Sequence, residues 1–151
     1  MGEAQHLVIV VAEDDENDRF LLRRAFNKAG IATPVHFCPD GHEAMAYLKG
    51  QGKFSNRMEF PFPRVLITDL KMPGCSGFDL LEWLYTHPEC NLIPKIVLSS
   101  SIERNDVKRA YQLGANCYFQ KPATFQELVN VVELAQKFWM TAALPEMPDN
   151  C

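Results

Sequence analysis

Five short strand-like runs are spaced along the chain, and each is followed by a stretch of helical periodicity or a helix-opening signal. Residues 7–11, LVIVV, are continuously apolar, which suits a strand covered on both faces of a parallel sheet. Leu22, Ala25, Phe26 and Ala29 then recur at i, i+3, i+4 and i+7, one face of a helix that Gly30 stops. Residues 35–38 are a short second strand. Asp40-x-x-Glu43 has the spacing of an N-terminal cap, and Ala44, Tyr47 and Leu48 mark the helix it opens. Residues 50–63 carry Gly, Pro, Ser and Asn without periodicity and read as a loop of unusual length. A third strand, residues 65–68, ends on Asp69. Pro73, Gly74 and Gly77 punctuate a turn, and Phe78, Leu81, Leu84 and Tyr85 give a helix that stops before Pro88. Residues 95–98 are a fourth strand ending on Ser99. Val107, Ala110 and Tyr111 mark a fourth helix, closed by Gly114, and residues 116–119 are a fifth strand just ahead of Lys121-Pro122. Thr124-x-x-Glu127 opens a last helix that runs to about Trp139. Strands alternating with helices predict one α/β domain on a parallel sheet, residues 1–140, and a tail, 141–151, expected to be poorly ordered.

Composition narrows the function classes. The chain has 151 residues, room for one domain with a real core. Its formal net charge of −4 gives no reason to expect nucleic acid or an anionic membrane as partner. The first apolar run is too short and too acidic in its flank for a signal peptide, and no segment approaches a membrane span, so the chain is expected in the cytoplasm. The five cysteines, Cys38, Cys75, Cys90, Cys117 and Cys151, show no C-x-x-C spacing and are expected to be free thiols.

The polar residues fall at strand ends. Strand one runs into Glu13, Asp14 and Asp15, strand three into Asp69, strand four into Ser99, and strand five into Lys121. In open parallel sheets, ligands bind beyond the carboxyl ends of the strands. Alone, each residue also fits a cap, a turn or a solvated surface; Ser100-x-x-Glu103, for example, has capping-box spacing, which makes Ser100 the residue that opens helix four. Together they set an acid pair, an acid, a hydroxyl and an ammonium along one edge. A flavin or nucleotide site would want a Gly- or Ser/Thr-rich loop after strand one, whereas Glu13-Asp14-Asp15-Glu16 repels phosphate unless a metal intervenes.

Four segments carry a resemblance to response-regulator receiver domains: Val10-Val11-Ala12-Glu13-Asp14-Asp15, Leu66-Ile67-Thr68-Asp69-Leu70-Lys71-Met72-Pro73-Gly74, Ile96-Val97-Leu98-Ser99-Ser100-Ser101, and Gly114 through Pro122. The resemblance spans about residues 6–138. It implies a flavodoxin-like, doubly wound (βα)5 fold with strand order 2-1-3-4-5. It also implies a non-enzymatic signalling switch of the two-component kind, with Asp69 as phosphoacceptor. Glu13, Asp14, Asp69 and the Lys71 backbone carbonyl would hold Mg2+, whose preference is for hard oxygen ligands beside phosphate. Lys121 and Ser99 would contact the phosphoryl oxygens, and Ser99 with Tyr118 would report the change to a surface of helix four, strand five and helix five. The family also makes Lys121-Pro122 a candidate cis bond.

Two features stand apart. Lys71 reads either as a solvated loop lysine or as a group that modulates the lifetime of the aspartyl phosphate. Helix five carries more apolar residues than one stripe needs, which fits a deeply buried helix or a homodimer face. The resemblance implies a sensor histidine kinase or phosphotransfer protein as donor, of the phytochrome-type or hybrid class. Nothing after helix five is long enough for a DNA-binding domain, so output is expected through a protein target. A receiver-fold adaptor independent of phosphorylation is the competing reading.

Overall fold

A computed structural model describes residues 7–147. Five parallel strands, β1 (Ile9–Ala12), β2 (Val35–Cys38), β3 (Val65–Thr68), β4 (Lys95–Ser99) and β5 (Cys117–Gln120), form one sheet in the order β2-β1-β3-β4-β5. The helices are α1 (Glu16–Lys28), α2 (Gly41–Lys49), α3 (Gly77–Tyr85), α4 (Arg104–Gln112) and α5 (Phe125–Thr141). Both the class and the strand order are those expected.

Side chains alternate across a strand, and the two cores follow that period. Ile9, Val11, Val65, Ile67, Ile96 and Leu98 pack with Leu22, Phe26 of α1 and Val129, Val132 and Trp139 of α5. Val10, Ala12 and Leu66 face the other way, toward Ala44, Tyr47 and Leu48 of α2 and Leu80 and Leu84 of α3. Val97 joins Phe78, Leu81 and Ala110 in a smaller cluster under α4. Ala110 is the one buried residue of α4, so that helix is held by little apolar surface.

Caps explain most helix starts. Asp40 accepts the Glu43 N–H, Thr124 accepts the Glu127 N–H, and Ser76 and Asp79 form a reciprocal capping box on α3. Residues 50–63 are more than a bare loop: they contain a 3-10 turn at Gly52–Phe54, and Arg57 donates to the Tyr47 and Leu48 carbonyls at the end of α2, each at 2.8 Å. Phe54 packs tilted and Phe60 edge-on against Tyr47. Lys95 opens β4 buried, donating to the Asn91 and Ile93 carbonyls, and burial pushes its ammonium down to about 8.

Three expectations need correction. The Lys121–Pro122 bond is trans, as every described peptide bond is. Cys38, Cys75 and Cys117 are free thiols, but Cys90 is disulfide-bonded; Cys151 lies outside the described residues. The part of the tail that is described returns to the body, with Leu144 and Met147 against opposite cores and Arg64 donating to the Pro145 carbonyl at 3.3 Å.

Candidate functional site

Sheet hydrogen bonds continue one residue past the strands. The Glu13 N–H donates to the Cys38 carbonyl at 3.1 Å, the Asp69 N–H to Ala12 at 2.9 Å, and the Lys121 N–H to Ser99 at 2.8 Å. Because Ala12 pairs with Thr68, the residues that follow them, Glu13 and Asp69, emerge side by side. The strand period extends with them. Glu13 and Asp69 fall in phase with the residues of β1 and β3 that face α1 and α5, as Lys121 does with Cys117 and Phe119 of β5. Ser99 is in phase with Val97 and faces α4 instead.

Glu13 is 2% exposed and Asp69 7% exposed. Two adjacent carboxylates so far from water repel each other and lose hydration. Lys121 answers both costs. Its Nζ lies 2.8 Å from Glu13 Oε2, 2.9 Å from Asp69 Oδ2 and 2.7 Å from Asp18 Oδ2. An ammonium has three donors, and all are engaged. Burial pushes the Glu13 carboxyl up to about 7, against the lowering effect of the Lys121 hydrogen bond. Burial alone would depress the Lys121 ammonium, but the hydrogen bonds to Asp18, Asp69 and Glu13 outweigh it and hold the group above its ordinary range. Backbone donors fix the remaining oxygens: Leu70 N–H to Asp69 Oδ1 at 2.7 Å and Asp15 N–H to Glu13 Oε1 at 3.0 Å.

Glu13, Asp14 and Asp69 each offer an oxygen within 4.8 Å of the others. An all-carboxylate set with a single ammonium to neutralise it fits a hard divalent cation such as Mg2+ or Mn2+.

A second group of contacts leads away from Ser99, which is 1% exposed. Its Oγ accepts the Ser101 N–H at 3.2 Å, and the half-buried Tyr118 donates its hydroxyl to the Ser101 carbonyl at 2.8 Å. Ser101 Oγ donates to Asp106 Oδ2 at 2.7 Å, and the Lys71 ammonium lies 3.5 Å from that same oxygen. The ammonium of Lys71 is therefore engaged by α4.

Ser100 does not open α4. It is exposed, and the helix starts at Arg104 behind Glu103, which makes no side-chain cap. The neighbouring Ser101 takes that place by accepting the Glu103 N–H at 3.3 Å while it holds Asp106. Sequence reasoning also missed Asp18. The available signal was its position three residues after the Asp15 cap of α1, in the first turn and on the side to which Glu13 and Lys121 point.

The response regulator receiver domain profile matches residues 9–133. Response regulator Rcp1 of Synechocystis sp. is 32% identical over 139 residues, 91% of this chain and 92% of Rcp1. The Mn(2+)-bound form of Rcp1 superposes with a TM-score of 0.83 at 31% identity, covering 93% of this chain and 99% of that one. Response regulator RPA3017, in red light signaling of R. palustris, gives 0.87 at 30% identity, with the same coverages of 93% and 99%. The phosphorylated cyanobacterial phytochrome response regulator RcpA gives 0.84 at 33% identity, again over 93% and 99%.

Proposed function

The chain belongs to the response regulator receiver domain family of two-component systems, and on that premise we propose that Asp69 is its phosphoacceptor. The observation that carries this is the Asp69 carboxylate at the end of β3, 2.9 Å from the Lys121 ammonium and within reach of the Glu13 and Asp14 oxygens. The donor is the phosphohistidine of a sensor histidine kinase or phosphotransfer protein. An Asp69 oxygen bonds to phosphorus as the P–N bond breaks, and the leaving imidazole takes its proton from solvent. Such transfer needs positioning and charge neutralisation more than covalent help.

Leu70 N–H orients the Asp69 carboxylate for this. Lys121 turns part of its hydrogen bonding from Asp69 to a phosphoryl oxygen, while Asp18 keeps it in place. Glu13, Asp14, Asp69 and the Lys71 carbonyl would hold Mg2+, which when bound offsets the negative charge gathered by carboxylates and phosphoryl. Ser99 donates its hydroxyl to another phosphoryl oxygen. In doing so it leaves Ser101, to which Tyr118 and Asp106 are bonded, and so shifts the weakly held α4. Tyr111 of α4 and Leu134 and Phe138 of α5 are exposed and supply apolar surface for a protein target or a second copy of the chain. Similarity to RcpA, a cyanobacterial phytochrome response regulator, and to RPA3017, which acts in red light signaling, supports a phytochrome-type kinase as donor. A cytoplasmic location agrees with the absence, among the described residues, of a helix long and apolar enough to cross a membrane.

Intact-mass measurement after incubation with Mg2+ and a small phosphodonor tests the assignment. Wild type should gain one phosphoryl group and Asp69→Asn none; an adduct that persists in Asp69→Asn, or is absent from both, sinks it in favour of another acceptor or of an adaptor.

Lys71 acts on the lifetime of that phosphate by tying the β3–α3 turn to α4 through Asp106. The Lys71 side chain is 63% exposed, so the pair is worth no more than about 1 kcal/mol. Lys71→Ala should therefore speed dephosphorylation by roughly two- to fivefold; equal decay rates would remove Lys71 from the mechanism.

A further inference from the structure

A second group of ligand atoms lies on the opposite side of the sheet edge. His36 and Cys38 are two residues apart on β2, so the strand period puts both on the face covered by α2. Asp40 caps α2 and sets Glu43 in its first turn, above them. One ligand atom from each, an imidazole nitrogen, the thiol sulfur and a carboxylate oxygen, lies within 4.8 Å of the other two. We propose that His36, Cys38 and Glu43 form a second metal site, which takes a divalent transition ion of the zinc class.

The donor set decides the class. Nitrogen, sulfur and one oxygen suit Zn2+ and its neighbours, whereas Mg2+ keeps to oxygen and water. Tetrahedral zinc, with bonds of about 2.0–2.3 Å, holds its ligands roughly 3.5 Å apart. Side-chain rotation of about an ångström closes the group to that spacing, and solvent fills the fourth position. The His36 ring is held by aromatic neighbours, with centroids 5.1 Å from Tyr47, 5.5 Å from Phe54 and 6.1 Å from Phe60. Burial keeps its imidazole below the ordinary range, hence neutral and ready to coordinate at pH 7. Cys38 is fully buried and is a thiol without the ion; on binding, its proton passes to solvent and sulfur coordinates as thiolate. Glu43 is paired with Lys53, whose side chain is 65% exposed and free to swing into water. Lys53 is thus the internal competitor that the ion displaces. Bound metal would tie edge strand β2 to α2 and release Lys53 from the carboxylate.

The site makes no use of the phosphoacceptor reading, and its test is independent of it. Co2+ is titrated into the full chain, its Cys90 disulfide intact, with Mg2+ in excess to fill the acidic cluster, and the thiolate-to-cobalt charge-transfer band is followed. The band should saturate at one equivalent and be bleached by Zn2+. It should vanish in Cys38→Ser, weaken at least tenfold in affinity in His36→Gln, tighten severalfold in Lys53→Met, and persist in Cys75→Ser. No band in wild type, or one that survives Cys38→Ser, overturns the proposal. If Cys38→Ser fails to fold, unchanged affinity in His36→Gln overturns it equally.

Discussion

Gly77→Ala should lose about 3 kcal/mol of stability and fall roughly a hundredfold in phosphorylation rate, although it replaces glycine with the best helix former in a helix. A Cβ at Gly77 would sit 2.0 Å from the Asp69 carbonyl oxygen, 2.9 Å from its carbon and 2.9 Å from Leu70 Cα. Backbone has to give way, because no side chain stands there to rotate. The backbone that moves is that of the proposed acceptor, which is pinned on one side by the Asp69 N–H bond to Ala12 and on the other by the Gly77 N–H bond to Leu70, both 2.9 Å. For a chain of this length the loss corresponds to a Tm lower by roughly 6–12 °C. A shift of about 1 Å in the proposed acceptor carboxylate would account for the lost rate, read at a temperature where the variant is folded. Gly30→Ala is the control. Its φ is +70°, but its Cβ would meet nothing within 4 Å, so it should cost only about 1–2 kcal/mol of left-handed strain and phosphorylate normally. Normal phosphorylation in Gly77→Ala would mean that this close approach does not position Asp69.

The same contact shows where sequence reading succeeds and where it stops. Gly77 was legible as punctuation but not as a contact, because its neighbour Asp69 is brought there by a turn whose path no periodicity encodes. Strands of continuous apolar residues were legible because burial on both faces demands them, and Glu13, Asp69, Ser99 and Lys121 were legible because a parallel sheet gathers its carboxyl ends on one edge. The strand order came from the family resemblance, since alternation alone fixes only the α/β class. Asp18 was hidden by its setting: an acidic residue in the first turn of a helix is ordinarily a dipole partner, and only the parity of β1 and β5 turns Lys121 toward it. Ser101 displaced Ser100 for a related reason. Capping-box spacing cannot reveal that α4 starts only at Arg104, behind an extended Glu103, and that the hydroxyl beside Asp106 is the one two residues past Ser99. The aromatic packing of residues 50–63 was likewise invisible without the position of Tyr47.

Lys121→Met should lower the phosphorylation rate by about 10²–10³-fold and change how stability depends on pH. The rate loss follows from removing a fixed positive donor aimed at the site where phosphoryl charge gathers. Stability changes because one ammonium serves three carboxylates, Glu13, Asp18 and Asp69. Removing one member of a fully buried ionic group costs about 3–5 kcal/mol; with Asp18 35% exposed and Lys121 19% exposed, about 2–3 kcal/mol is expected at neutral pH without metal. The pH dependence has a definite sign. Glu13 in the folded wild type sits at about 7, above its unfolded value, so between the two the folded state holds the extra proton and stability falls as pH rises. Removing Lys121 takes away influences that lower Glu13, which deepens this fall and carries it to higher pH. Lys121 itself is raised, so the stability it gives wild type is present throughout neutral pH and is lost only in the alkaline range. The deficit of Lys121→Met should therefore be present already near pH 5 and widen as pH rises above about 7, where wild-type Glu13 gives up its proton and the variant's still holds it. Saturating Mg2+ should restore part of it, since a divalent cation on Glu13, Asp14 and Asp69 replaces the missing charge. Urea unfolding of both proteins from pH 5 to 8, with and without Mg2+, measures each part. A deficit that does not vary with pH would show that Lys121 contributes packing rather than charge, and a deficit that Mg2+ leaves untouched would separate the cation from the carboxylates that Lys121 holds.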